Sequence, residues 1–141
     1  MARFTTAIPS HLPPAEAFAY MADFAHAAAW DPSVLEARQT SDGPIGVGST
    51  FEVVTKFGPR VLSLTYRISR HEPDVVVVLE AHGGSFVSTD TITVEPVGER
   101  SLVTYDARLD FRGAARLADP LMQVVFNRVG RKAEARLREV L

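Results

Sequence analysis

Apolar and polar residues alternate along this chain in two different rhythms. Phe4, Thr6 and Ile8 are interleaved with Arg3, Thr5 and Ala7, the two-residue period of a strand, and Pro9 is expected to end it. Pro13 and Pro14 then open a helix, where a missing N–H costs little because first-turn donors have no intrahelical partner. The stretch from Ala15 to Ala22 is rich in good helix formers, with Phe18 and Met21 or Ala22 on one face. Asp23 is the expected N-cap of a second short helix, Phe24 to Trp30, which Asp31-Pro32 ends because a residue before proline is driven out of the helical region.

From Val34 to Gly113 β-branched residues dominate, broken at regular spacing by turn signals: Gly43-Pro44 through Gly48, Gly58-Pro59, Glu72-Pro73-Asp74, Gly83-Gly84 and Gly98-Glu99. Strands are predicted near 34–40, 49–57, 60–70, 74–82, 85–95 and 100–111. Loops this short join antiparallel neighbours.

The turns also predict which residues share a face. A two-residue turn at Gly83-Gly84 sets His82 opposite Ser85, so that Val75, Val77, Leu79 and Ala81 oppose Ile92, Asp90, Ser88 and Phe86. A turn at Gly58-Pro59 sets Phe51, Val53, Thr55 and Phe57 against Tyr66, Leu64, Leu62 and Arg60. A turn at Gly98-Glu99 pairs Val94 with Val103, which brings Tyr105, Ala107, Leu109 and Phe111 to that same side. The opposite side then carries Glu52, Lys56, Arg67, Glu80, His82, Thr91, Asp106 and Arg108, with Val54, Val76, Val78 and Val87 as apolar exceptions. Independent turns thus agree on one dry and one wet face, and a slip of one residue would invert both.

The tail, Ala114 to Leu141, reads as a long helix started or kinked at Asp119-Pro120. Leu117, Leu121, Val124 or Val125, Val129, Ala133, Leu137 and Val140 form its predicted apolar stripe, with Arg128, Arg131, Lys132, Arg136 and Arg138 mostly off it. A long amphipathic helix is the natural cover for the dry face of six or seven strands. The fold class is therefore α+β, and the length fits one domain over 1–141.

Composition narrows the function classes. The chain is 46% hydrophobic and 23% charged, which is ordinary for a globular protein, and its net charge of -2 supplies no general attraction to nucleic acid. It has no cysteine, which excludes disulfides, thiolate metal sites and cysteine nucleophiles. The first residues lack the apolar core of a signal peptide, and no apolar run, Val75 to Leu79 included, is long enough to span a bilayer. A cytoplasmic protein is expected, with no stable membrane insertion. His11, His26, His71 and His82 show no zinc spacing, and Gly43-Pro-Ile-Gly46-Val-Gly48 precedes a strand rather than a helix and so is no phosphate loop. Neither a metal nor a cofactor is expected.

One strand, two short helices, six antiparallel strands and a long terminal helix is an order that resembles the helix-grip fold of the START-like (SRPBCC) superfamily. The local wording is similar to its polyketide cyclase/dehydrase and lipid-transport branch: Pro14-Ala-Glu-Ala-Phe-Ala-Tyr-Met-Ala-Asp23, His26 to Trp30-Asp-Pro32, Gly46-Val-Gly48-Ser-Thr-Phe51, Thr91-Ile-Thr-Val-Glu-Pro-Val-Gly98, and Phe111-Arg-Gly113 leading to Asp119-Pro-Leu121. The resemblance covers nearly the whole chain. It implies a curved sheet wrapped around the C-terminal helix and an internal cavity for a small hydrophobic or aromatic, lipid- or polyketide-like molecule. Its members share a cavity and not one catalytic motif.

Within the predicted dry face, Asp90 is the only carboxylate between positions 51 and 111. Burial would raise its pKa, making it either a general acid or base, an anchor for a ligand hydroxyl, or a group satisfied by Ser88, a backbone amide or water. Tyr66 and Tyr105 point the same way and either present hydroxyls to a ligand or pack as core. Leu64, Val77, Phe86 and Ser88 share that face, and Trp30, Phe111 and Phe126 are expected cavity walls, with Trp30 closing the mouth. Gln123 and Asn127, four apart on the terminal helix, aim polar groups either into the cavity or into solvent. Three functions follow: a carrier or receptor for a small hydrophobic molecule, an aromatase/cyclase-dehydratase using Asp90 and a tyrosine as acid and base, or an interaction module with a closed cavity. A monomer or a homodimer fits any of them.

Overall fold

The computed structural model describes residues 1–141 apart from the side chain of Phe57, whose predicted inward direction lies outside the described residues. Strand β1 (Ala2–Ser10) leads to helix α1 (Pro14–Ala22), a single 3-10 turn at Phe24–His26 and the short helix α2 (Ala27–Trp30). Six strands follow: β2 (Val34–Gln39), β3 (Thr50–Phe57), β4 (Arg60–Glu72), β5 (Val76–His82), β6 (Phe86–Val97) and β7 (Arg100–Phe111). A second 3-10 turn at Gly113–Ala118 introduces the 22-residue helix α3 (Asp119–Val140). The seven strands form one antiparallel sheet in the order β1-β7-β6-β5-β4-β3-β2, so β1 and β2 are its edges.

Turn chemistry accounts for most of this. Pro14 opens α1, and the Asp23 carboxylate accepts from the Ala25 N–H at 3.2 Å, capping the next turn as expected. Phe51 pairs with Tyr66 and Val53 with Leu64, Val94 pairs with Val103, and Asp90 with Ala107, all as the turn positions predict.

Elsewhere the structure corrects the expectation. The turn after β5 is centred one residue later, on Gly84-Ser85: the Gly83 N–H donates to the Phe86 carbonyl at 2.9 Å. Ile92, Asp90 and Ser88 therefore face Val77, Leu79 and Ala81, two positions along from the predicted pairing. A shift of two is even, so every side chain keeps its face. Val75, expected inside, is 50% exposed; Asp74 adopts a left-handed conformation (φ 64°) and the Pro73-Asp74 turn delays β5 to Val76, whose side chain is buried instead. Pro9 does not end β1, which continues to Ser10, because an edge strand can spare the N–H that proline lacks.

The apolar stripe of α3 holds at Ala133 and Leu137 and differs in its first half. Gly130, Ala133 and Leu137 are its buried residues, with Met122 and Phe126 packed beside them. Leu117, Leu121 and Val124 are exposed, at 86%, 69% and 57%. The helix leans on edge strand β1 at its small residues: a Cβ built on Gly130 would stand only 2.4 Å from the Phe4 ring. Glycine, which weakens a helix interior relative to alanine, is here what lets the two backbones approach.

Around that contact polar groups fix the helix. The Gln123 amide accepts from the Arg3 N–H (2.9 Å) and donates to the Arg3 carbonyl (2.7 Å), and the Thr6 hydroxyl donates to Glu134 (2.8 Å). The core lies between the concave face of the sheet and the helices, with Trp30, Phe51, Ile68, Leu79 and Ile92 among its fully buried side chains. Among the described residues, no helix is long and apolar enough to cross a membrane.

Gly130→Ala is expected to lower stability by about 1–3 kcal/mol through overpacking against Phe4, instead of giving the gain usual for glycine-to-alanine in a helix. Urea unfolding of the two proteins measures this, and a variant as stable as the native chain would show that the helix does not depend on close approach at this point.

Candidate functional site

Because α3 rests on the β1 side of the sheet, the space between the helix and strands β3 and β4 is only partly filled. A cavity of about 90 Å³ remains there. Its apolar wall includes Phe4, Phe24, Val34, Val53, Met122, Phe126 and Ala133, drawn from nearly every layer of the fold. Its polar groups are Asp31, Ser33, Thr55, Tyr66, Ser88, Asp90 and Tyr105, with Lys56 at the rim.

Asp90 stands in the middle of β6 and is 5% exposed. Burial, reinforced by the charges of Asp31 and Asp106, pushes its carboxyl well above the usual carboxylate range, while hydrogen bonding from the Tyr105 hydroxyl opposes the rise. Both tyrosine hydroxyls are held above their ordinary range, first by burial and then by the charge of Asp90. Tyr66 shares a 2.7 Å hydrogen bond with Ser88, so its hydroxyl already has a partner inside the wall.

Asp31 is the residue that the pattern of the sequence did not single out. It ends α2, where its N–H donates to the Ala27 carbonyl at 2.7 Å and its side chain accepts from the Ser33 N–H (2.9 Å) and hydroxyl (2.7 Å). This is the turn that Asp-Pro-Ser favours, and that local role concealed a second one. The same carboxylate lines the cavity, and burial raises its pKa against the hydrogen bonds of Ser33 and the charge of Arg136.

Of the candidate residues, the structure gathers Asp90, Tyr66, Tyr105, Ser88 and Phe126 around one cavity. Trp30 stands behind that wall and not at its mouth: its ring meets Tyr105 edge-on with centroids 4.9 Å apart, fixing the tyrosine from the rear. Leu64 and Val77 are buried in the same face of the sheet but outside the lining. Phe86 and Phe111 form an edge-to-face pair at the far end of β6 and β7. Gln123 and Asn127 do not aim into the cavity. Gln123 is engaged with the backbone of Arg3, Asn127 accepts from Gln123 at 3.0 Å, and both belong to the side of α3 that grips the sheet edge. Phe4, Phe24 and Met122 join the lining through tertiary packing that strand parity does not report.

A separate shallow depression on the outer face of the sheet is lined by Val47, Arg67, Ile68, Ser69, Glu80 and His82. Glu80 and His82 lie 3.9 Å apart within it.

Comparison with known proteins matches this geometry at the level of fold. The family described as polyketide cyclase / dehydrase and lipid transport matches residues 1–141. A START superfamily protein from Mycobacterium smegmatis superposes with a TM-score of 0.73 at 10% identity, covering 100% of each chain. A protein from Thermus thermophilus gives 0.73 at 15% identity over 98% of this chain and 94% of its own. The di-domain aromatase/cyclase StfQ of the steffimycin biosynthetic pathway gives 0.73 at 11% identity, with 98% of this chain matching 49% of that one. No curated protein matches the sequence.

The raised Asp90 pKa has a consequence for stability. In the unfolded chain Asp90 ionises near the ordinary value of about 4, whereas in the folded protein the ionised form is penalised. Stability attributable to this residue is therefore greatest below the ordinary carboxylate range and falls as pH rises from there toward the elevated folded value. Asp90→Asn, which cannot ionise, is expected to melt at a higher temperature than the native chain at pH 7, with the gap closing toward pH 4. Melting curves across that range test it, and a gap independent of pH would contradict a penalised carboxylate.

Proposed function

Because the chain belongs to the polyketide cyclase/dehydrase and lipid transport family, we propose that it binds a small hydrophobic or aromatic molecule in the cavity between the sheet and α3. The observation that carries this reading is the cavity itself: an apolar and aromatic wall enclosing a few polar groups fixed by their neighbours. A sheet and helix serving only as an interaction module would gain by filling this space with side chains, since an unfilled void forfeits packing.

The volume bears on what fits. An apolar void of about 150 Å³ takes benzene, so a cavity of about 90 Å³ receives one end of a ligand and leaves the remainder outside it. A fused-ring skeleton would require α3 to move away from β3.

A second reading, an aromatase/cyclase-dehydratase, is favoured by one observation. Asp90 is a carboxyl held toward its neutral form beside the Tyr105 hydroxyl, as an acid–base group acting on a ketone would be. Catalysis there would rest largely on positioning the chain. The family resemblance extends to StfQ, which is an aromatase/cyclase, and the fold alone does not carry that activity to this chain.

Native mass spectrometry of the purified protein is expected to show a co-purifying small molecule released by mild activation. If no adduct appears, and no member of a panel of single-ring hydrophobic compounds shifts the cavity resonances in NMR titration, the binding reading fails. The cyclase reading predicts that Asp90→Asn still binds a polyketone analogue but loses about 10²-fold or more in turnover. A variant with full turnover would remove Asp90 from the chemistry.

A further inference from the structure

The inner end of the cavity places two acids against aromatic rings, and this says more about the ligand than its apolarity. Asp31 reaches it from the end of α2 and Asp90 from the centre of β6, with Phe4, Phe24, Tyr66 and Tyr105 around them. Most donors of the wall are already engaged, although the Tyr66–Ser88 pair keeps one O–H proton to spare. The Ser33 hydroxyl donates to Asp31 at 2.7 Å, the Thr55 hydroxyl to the Ser33 carbonyl at 3.1 Å, the Tyr66 and Ser88 hydroxyls bond each other at 2.7 Å, and Tyr105 serves Asp90. Burial holds both acids toward their neutral forms. Once ionised, the two carboxylates offer about eight acceptor sites between them, and the cavity is then rich in acceptors and negative.

The surrounding charges leave that balance in place. Arg136 of α3 acts on Asp31, and Lys56 stands exposed at the rim. Asp106, on the outer face of β7 with Arg3 and Thr5 bonded to it, adds to the negative field at Asp90.

We infer that the ligand of this cavity carries a protonated amine, an alkyl- or arylalkylammonium whose charged end sits between Asp31 and Asp90 against the rings of Tyr66 and Tyr105. The inference rests on the proposed binding of a small hydrophobic molecule and names its polar end. A primary ammonium brings three donors to the two carboxyls and offsets the negative charge they carry once ionised. Aromatic faces attract a desolvated cation further. A fatty acid would bring a negative charge into a space where burial already disfavours ionised carboxyls, and an alcohol supplies a single donor and no charge. Since burial holds both acids above their usual range, an arriving ammonium displaces protons from the pair. Affinity then rises with pH as Asp90 loses its proton, and falls once the amine itself deprotonates near about 10.

Calorimetric titration of the full chain at pH 7.5 with phenethylamine, 2-phenylethanol and phenylacetate provides the test. The amine is expected to bind about tenfold or more tighter than the alcohol, and phenylacetate not to bind. In buffers of different ionisation enthalpy, the heat of amine binding to the native protein is expected to report proton release, a readout that requires no variant. Asp90→Asn, with its fold checked by circular dichroism, is expected to bring amine and alcohol to within about threefold of each other while alcohol binding persists. Equal affinity of amine and alcohol for the native chain, or tighter binding of phenylacetate, would overturn the amine assignment and leave hydrophobic binding standing. Failure of all three compounds to bind would overturn the amine and the binding reading together.

Discussion

A helix about 10 Å wide cannot cover a seven-stranded concave sheet, so where it rests decides what is left open. Here it rests on the edge. Gly130 lets α3 settle on the Phe4 ring, Gln123 grips the backbone of Arg3, and Glu134 holds Thr6, all on β1. Because these contacts lie on the β1 side, the opposite half of the trough between α3 and strands β3 and β4 keeps its void, and Asp31, Asp90, Tyr66 and Tyr105 meet in it. Had residue 130 carried a side chain, the helix would stand further from β1 and the shape of that void would change with it.

Much of the fold was legible because strands have a period of two and tight turns set parity. The Gly58-Pro59 and Gly98-Glu99 turns lie where their residues suggest, and the pairs they imply are the pairs that form. The Gly83-Gly84 turn does not: with serine next in line the bend centres on Gly84-Ser85, and the register moves by two. The dry face survives because an even shift leaves parity untouched. The helix was less legible. The expected stripe is right at Ala133 and Leu137, but its first half, Leu117, Leu121 and Val124, is exposed, and it omits Gly130, where close approach to β1 requires a small residue. Hydrophobicity alone does not encode distance of approach.

For the site, the same parity put Asp90, Ser88, Tyr66 and Tyr105 on one face, and the cavity gathers all four. Asp31 was hidden because a turn explains an aspartate before proline completely. A residue can satisfy a local rule and still face a shared space, and only the tertiary arrangement reveals which. Trp30 shows the converse: a large aromatic beside the site that reaches it only from behind, packing edge-on against the lining residues Tyr105 and Phe24.

The grip of Gln123 on Arg3 also bears on how this sheet meets other chains. A free sheet edge is a template on which a neighbouring molecule can add a strand. At β1 one outward N–H and one outward carbonyl are already taken by a side-chain amide that imitates the next strand, and Pro9 further along contributes no donor at all. At the other border, β2 is only six residues long, is bulged between Val34 and Glu36, and projects Glu36 and Arg38 into water. Both borders therefore discourage strand-by-strand recruitment, so a partially unfolded population of this chain should return to its own sheet more readily than it seeds fibrils.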